Sequence, residues 1–304
     1  MSTAHAHIQL RDWGLLLLLS VVWGGSFMFV GVAVKDLSPL VIVMARVVIA
    51  AAALLPLNWV MIGPLPKDRH TWLAMAGMSV LTNVIPFTLI VTGQTMIASG
   101  LASVINATTP LFGVAMLAAA GREQLVMRKL AGILVGVAGV AVLKGGTIMG
   151  HGSQSVGILL CLGAAASYGL GSLWAKVMLK GTAPLSLATG QRLISSLIMA
   201  VLGFGFDDPS QLLRASFASW AALLALALLA TSFAYIIFFR VVARAGPANV
   251  LLVTMMIPAT AIAMGVAVLG ESLEPREIAG TLVILLALVL IDGRVPALVL
   301  RRTA

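Results

Sequence analysis

Ten apolar runs, separated by short polar segments, fill almost the whole chain. They cover about residues 13–34, 38–60, 71–93, 101–120, 127–146, 156–176, 184–205, 217–239, 248–269 and 277–293. A helix needs about 20 apolar residues to cross ~30 Å of hydrocarbon, and most of these runs are that long. Several intervening segments are only a few residues, so neighbouring spans must run antiparallel. Spanning β-strands would alternate polar and apolar residues, whereas Leu15–Leu19 is continuously apolar. Composition agrees: 61% of the 304 residues are hydrophobic and 10% charged, against about 25% charged in soluble domains. The expected fold is an all-α integral membrane protein with ten transmembrane helices.

The net charge is +9, but the basic residues stand singly or in pairs beside apolar runs. They form no patch, so nucleic acid is not an expected partner. Their distribution orients the chain instead. Thirteen Lys and Arg fall on the side of the N-terminus, only Lys35, Lys144, Arg214 and Arg276 fall on the other, and Arg46 and Arg192 lie inside spans. Basic loops stay cytoplasmic, which places both termini in the cytoplasm. The lone Cys161 lies in an apolar run, so there is no disulfide framework. The first run is long enough to span and lacks a clear cleavage site, so a cleaved signal peptide is not expected.

The chain also repeats itself. Pro110, Glu123 and Gly132 recur as Pro258, Glu271 and Gly280 at a constant offset of 148, and Gly25-Ser26…Arg46 recurs as Gly171-Ser172…Arg192 at an offset of 146. Two shared spacings in one order indicate a duplicated five-helix unit, with boundaries at 1–148 and 149–304. Five is odd, so the second unit is inverted in the membrane relative to the first. Inverted repeats recur in secondary transporters, with substrate held near the midplane where the repeats meet.

Trp23-Gly24-Gly25-Ser26, Arg46 inside the second span and the Pro258…Gly270-Glu271…Gly280 segment resemble the EamA family of the drug/metabolite transporter superfamily. The resemblance extends over nearly the whole chain. It implies a ten-helix permease of the bacterial inner membrane, with a central cavity walled by helices 1, 3, 4, 6, 8 and 9 and helices 5 and 10 packed to the side. Within the family the chain is most similar to exporters of amino acids, including aromatic ones.

Polar residues at membrane depth are costly unless satisfied, so each is a candidate for function. Asn83, Phe87, Ile90 and Gln94 share one face of helix 3, suited to a cavity wall, although Asn83 could equally bond a neighbouring helix. Asn106 and Thr109 precede or adjoin Pro110 in helix 4, and Thr254 precedes Pro258 in helix 9. Proline removes a backbone donor, so kinks are expected at both places, with carbonyls left free for substrate or satisfied locally by Thr. Trp23 and Ser26 in helix 1, Tyr168 in helix 6 and Tyr235 in helix 8 are further candidates for substrate contact or core packing. Trp13, Trp59, Trp72 and Trp174 lie near span ends, as interfacial belt residues do. Gly132, Gly136 and Gly139 give helix 5 a small-residue face for close packing. Arg46 and Arg192 could bind an anionic group. Their depths favour structural or gating ion pairs, Arg46–Glu271 and Arg192–Glu123.

All ten acidic residues lie at or beyond span ends. A proton-coupled exporter of cations needs a carboxylate at depth, so an uncoupled permease for a neutral or zwitterionic solute fits better. The expected function is export of small metabolites, first of all neutral and aromatic amino acids, by alternating access. The alternatives are a permease for sugar-phosphate or nucleotide-type anions and a multidrug exporter. An intramembrane enzyme would need a catalytic group at depth, and no Ser/His pair, paired Asp or HExxH motif is present. No His/Cys/carboxylate cluster has metal spacing, and no cofactor is expected. The expected partners are a small-molecule substrate and the bilayer, with the chain monomeric.

Overall fold

The computed structural model describes residues 10–144, 152–179, 181–245 and 252–292, and the repeat boundary expected at 148/149 lies outside them. Ten long helical segments account for most of these residues: α1 (Leu10–Ala33), α2 (Pro39–Met61), α3 (Arg69–Gly93), α4 (Ser99–Ala119), α5 (Met127–Lys144), α6 (Ser153–Met178), α7 (Pro184–Phe206), α8 (Phe217–Val242), α9 (Leu252–Leu269) and α10 (Pro275–Asp292). Eight are long and apolar enough to cross a membrane. The other two, α5 and α10, match α9 in length at 18 residues but carry charges at their ends, Arg128, Lys129 and Lys144 in one and Arg276, Glu277 and Asp292 in the other.

The helices depart from α geometry where the sequence forces it. In α3 a π turn occupies Val80–Val84, just before Pro86, whose missing N–H leaves the Thr82 carbonyl without its helical donor. In α8 a longer π segment runs over Ala225–Phe233, where the Thr231 and Ser232 hydroxyls donate to the carbonyls five residues back. The third helix of each five-helix set thus carries the same irregularity, of a kind that gathers at functional sites. Pro110 interrupts α4 as expected: its α-helical parts are Ser99–Asn106 and Thr109–Ala119. The carbonyls there are not left free, because Thr108 and Thr109 donate to Ile105 and Asn106 at 2.6 and 2.7 Å. Around Pro258 the outcome differs, since α9 stays α-helical from Leu252 to Met264 and turns π only at Gly265.

The largest helix contacts follow one exchange rule. α1 packs on α9 and α8, and α6 packs on α4 and α3; α2 packs on α8, and α7 on α3; α2 meets α7, and α5 meets α10. Swapping each helix with the one five places on leaves this contact pattern unchanged. The loops show the sense of the two sets. Asp36 after α1 reaches Ser216 before α8, and Glu271 before α10 reaches Ser99 at the start of α4. Gln154 at the start of α6 meets Glu277 at that same end. Helix α1 therefore finishes at the end of the bundle where α6 begins, here termed the far end.

The α5–α10 pair stands apart from the central helices and packs almost backbone to backbone. A Cβ on Gly139 would lie 3.0 Å from the Ile284 nitrogen and 3.2 Å from the Gly280 oxygen, and one on Gly280 would lie 2.9 Å from the Gly139 oxygen. The expected small-residue face of helix 5 is thus in use. Gly139→Leu cannot be accommodated without parting the two helices, and overpacking of this kind costs about 1–3 kcal/mol. The expected result is a detergent-solubilised protein that melts several degrees lower while keeping wild-type substrate preference. An unchanged melting temperature would contradict this packing.

Candidate functional site

Eight helices, all but α5 and α10, enclose a central cavity of about 460 Å³, within the range of small-molecule sites. Eight of the nine residues singled out for substrate contact line it: Trp23 and Ser26 from α1, Phe87 from α3, Asn106 and Thr109 from α4, Tyr168 from α6, Tyr235 from α8 and Thr254 from α9. Asn83 does not. It lies behind the wall, 1% exposed, and accepts a hydrogen bond from Arg192, so its role is between helices. The wall also includes α2 and α7, which were not among the helices that the family resemblance implied; they bring in Arg46, Gln191 and Arg192.

The two arginines decide the character of the site. The expected pairs Arg46–Glu271 and Arg192–Glu123 are not formed. Glu123 pairs with Lys129 on the following turn, and Glu271 caps α4. Arg46 instead donates from Nε to Thr231 Oγ1 at 3.2 Å and stacks its guanidinium 3.7 Å from the Phe87 ring centre. Arg192 donates to Asn83 Oδ1 and, at 3.2 Å, to the Tyr235 hydroxyl, with its guanidinium 5.4 Å from the Tyr235 ring. Depth along a helix had suggested the acidic partners, but rotation about the helix axis turns both arginines inward.

These contacts repeat with the chain. Asn83 and Phe87 recur at the offset of 148 as Thr231 and Tyr235. Each arginine bonds the first residue of the other repeat's pair and stacks on the second residue of its own. This was the unread signal: the offset that related the prolines also relates the arginines' partners. Both guanidiniums also face Phe87, the second at 5.3 Å, so they lie no further apart than about 9 Å. At an effective dielectric near 20, two positive charges at that separation repel by about 2 kcal/mol. No Asp, Glu, Lys or His is among the lining residues.

Unmet hydrogen-bonding capacity collects here as well. Among the described residues, three buried side-chain atoms have no partner: Arg192 Nε, Asn106 Oδ1 and Gln94 Oε1. All three residues line the cavity. Arg46 makes no described hydrogen bond through either terminal nitrogen. Buried polar groups are normally satisfied, so donors and acceptors left over around one cavity mark a place for a polar ligand. The same lining holds an aromatic cluster in which Trp23 and Phe238 rings are 5.8 Å apart and Tyr235 meets Phe238 edge-on at 6.5 Å. Trp174, expected in an interfacial belt, instead wedges between α6 and α3 and donates to the Ala74 carbonyl at 3.0 Å.

The far end of the bundle is tied by carboxylates set on helix N-termini of the other five-helix set. Glu271 accepts from the Ser99 and Gly100 backbone N–H groups at 2.7 and 3.2 Å and from Ser99 Oγ at 2.9 Å. Asp207 accepts from Ser38 Oγ at 2.5 Å, beside a 2.8 Å bond from the Ser38 N–H to Gln211. Asp36 accepts from Ser216 N–H and Oγ and from Ser219 Oγ. These bonds hold the exposed Asp36 carboxyl below its ordinary value near 3.8. At the opposite end the ties run from Ser186 Oγ to Asn58 at 2.9 Å, from Lys176 to the Arg122 carbonyl at 2.8 Å and from Arg244 to Asp12 at 2.9 Å.

The chain can now be set beside known proteins. The model of the EamA-like transporter family matches twice, over residues 13–144 and 155–292. A protein of Salmonella typhimurium named "Probable amino-acid metabolite efflux pump" is 28% identical over 91% of this chain and 93% of its own length. A protein of the same name in Escherichia coli K12 is 25% identical over the same shares. The Bacillus subtilis protein named "Uncharacterized transporter YvbV" is 27% identical over 92% of this chain and 91% of its own. A solved crystal structure with 16% identity superposes with a TM-score of 0.62, over 95% of this chain and 98% of that one, and so shares the fold.

Proposed function

Because this chain belongs to the EamA-like transporter family, and is thus a multi-pass membrane transporter rather than an enzyme, we propose that it exports amino-acid-type metabolites across the bacterial inner membrane. Neutral and aromatic amino acids and their close derivatives are the first candidates. The observation that carries this reading is the central cavity, where two guanidiniums, two orphan carboxamide oxygens and an aromatic corner converge. A carboxylate would sit at the arginines, an N–H at Asn106 and Gln94, and a side chain against Trp23 and Phe238. The relatives named as amino-acid metabolite efflux pumps support the same class.

Alternating access fits the contact pattern. Units 1–148 and 149–304 would be inverted halves, both termini cytoplasmic, whose interfaces interchange under exchange of the halves. The carboxylate caps would close the outer face, with Glu271 as the main latch. Arg46 and Arg192 would serve the substrate rather than an ion-pair gate, and the α4 break at Pro110 would let its two parts move separately.

Among the described residues, no Asp, Glu, Lys or His lines the cavity to carry a coupling proton, which supports an uncoupled mechanism. Asp36 supports this at the far end. A carboxylate whose pKa is depressed on folding contributes its stabilisation above the ordinary carboxylate range and loses it as pH falls through the lowered value. The window therefore lies below about pH 4, and this tie holds unchanged through physiological pH. The test is counterflow in proteoliposomes. Saturable exchange should proceed at the same rate with and without a pH gradient of one unit, and exchange driven by the gradient would overturn the uncoupled mechanism.

One observation favours a second reading. The arginine pair within the cavity is the basic cluster that a sugar-phosphate or nucleotide-type anion would require. A multidrug exporter of cations is disfavoured by the same charges.

A further inference from the structure

The charge balance of the cavity narrows the substrate class, granted the amino-acid reading above. We infer that the preferred substrate is net anionic: a carboxylate whose neighbouring nitrogen or oxygen is an uncharged hydrogen-bond donor, as in an N-acylated amino acid, rather than the parent zwitterion.

Complementarity leads there in three steps. First, the donors in excess are charged. Arg192 is 3% exposed with Nε unpartnered, and Arg46 has two terminal nitrogens without a described hydrogen-bond partner. A guanidinium so placed calls for a carboxylate or other oxyanion. Second, the acceptors in excess are neutral. Asn106 Oδ1 and Gln94 Oε1 are buried carboxamide oxygens, and the other end of the Gln94 amide is fixed by its 2.9 Å bond to the Phe27 carbonyl. They can receive an N–H or O–H but supply no negative charge to balance an ammonium. Third, the lining carries two positive charges and no negative one. A single carboxylate leaves a residual positive charge, which repels an ammonium but not an amide. Acylating the nitrogen keeps the N–H that the carboxamides would accept and removes the charge that the arginines oppose. The aromatic corner at Trp23 and Phe238 is indifferent to this change, so the preference can be read on one side chain.

The test is a charge series on the phenylalanine scaffold, measured as self-exchange of each labelled compound in proteoliposomes of the whole protein: N-acetylphenylalanine as anion, phenylalanine as zwitterion and phenylalaninamide as cation. The half-saturation concentration of N-acetylphenylalanine should be at least tenfold below that of phenylalanine, with phenylalaninamide not exchanged. An inside-negative potassium diffusion potential should speed net efflux of N-acetylphenylalanine and leave that of phenylalanine unchanged. Arg46→Gln should raise the half-saturation concentration of both carboxylates, that of N-acetylphenylalanine more than that of phenylalanine, and so shrink the tenfold preference. Phenylalanine exchanging as well as its N-acetyl derivative would overturn the inference and leave the amino-acid reading standing. Failure of all three compounds to exchange would remove that reading and the inference with it.

Discussion

Arg46→Gln is expected to lower saturable exchange of a carboxylate substrate by one to two orders of magnitude. A charge-assisted hydrogen bond in a water-poor site is worth about 1.5–3 kcal/mol, or roughly 10- to 150-fold. Arg46 is the better of the two arginines for this test. Its one described hydrogen bond, to Thr231, is long at 3.2 Å, and glutamine removes the charge while retaining a polar head. Arg192 holds both Asn83 and Tyr235, so its replacement would mix recognition with stability. The expected signature is a raised half-saturation concentration in a protein that melts like the wild type. Were Arg46 a structural residue alone, melting would fall and affinity would not.

Glu271→Ala should release the far end. The carboxylate makes three hydrogen bonds, two of them to backbone N–H groups in the first turn of α4. Losing a helix cap costs about 0.5–2 kcal/mol, and losing an anion at a helix N-terminus a further 0.3–1 kcal/mol. Together these shift a two-state equilibrium by roughly 4- to 150-fold. Spin labels at Thr95, in the α3–α4 loop, and at Leu213, exposed near the start of α8, report the change. A single short distance in the parent should give way to a mixture with a longer component, and net transport should fall by about tenfold because the occluding state is under-populated. An unchanged distance distribution would show that Glu271 merely trims the end of α4.

These two residues also mark where sequence reasoning stopped. Span number, helix type and duplication were legible because they rest on hydropathy and on the constant offsets, which one chain contains. The side chains in the cavity wall were largely legible for the same reason: Trp23, Ser26, Asn106, Thr109 and Tyr168 are polar or aromatic residues at membrane depth, where such residues need a purpose. The partners of Arg46, Arg192 and Glu271 were not legible. Depth along a helix can be counted, but rotation about its axis depends on packing against helices distant in sequence. Glu271 found backbone N–H groups at the start of α4, and every helix offers such donors with nothing in its side chains to announce which will be used. The paired prolines teach a similar lesson. Pro110 breaks α4 and Pro258 leaves α9 continuous, although both sit at equivalent positions. Two threonine hydroxyls stabilise the break in α4, whereas the Thr260 hydroxyl in α9 is shared between the Ile257 carbonyl of its own helix at 3.0 Å and the Ser20 carbonyl of α1 at 2.8 Å.

The central claim is that substrate is held between the repeats at the arginine pair. Counterflow in proteoliposomes, with wild type and Arg46→Gln reconstituted in parallel, tests it most directly. The account predicts saturable exchange of labelled N-acetylphenylalanine or phenylalanine by the wild type, with a tenfold or greater loss of apparent affinity in the variant at equal reconstitution and equal melting temperature. Equal exchange by the two proteins would contradict it and place the substrate elsewhere in the bundle.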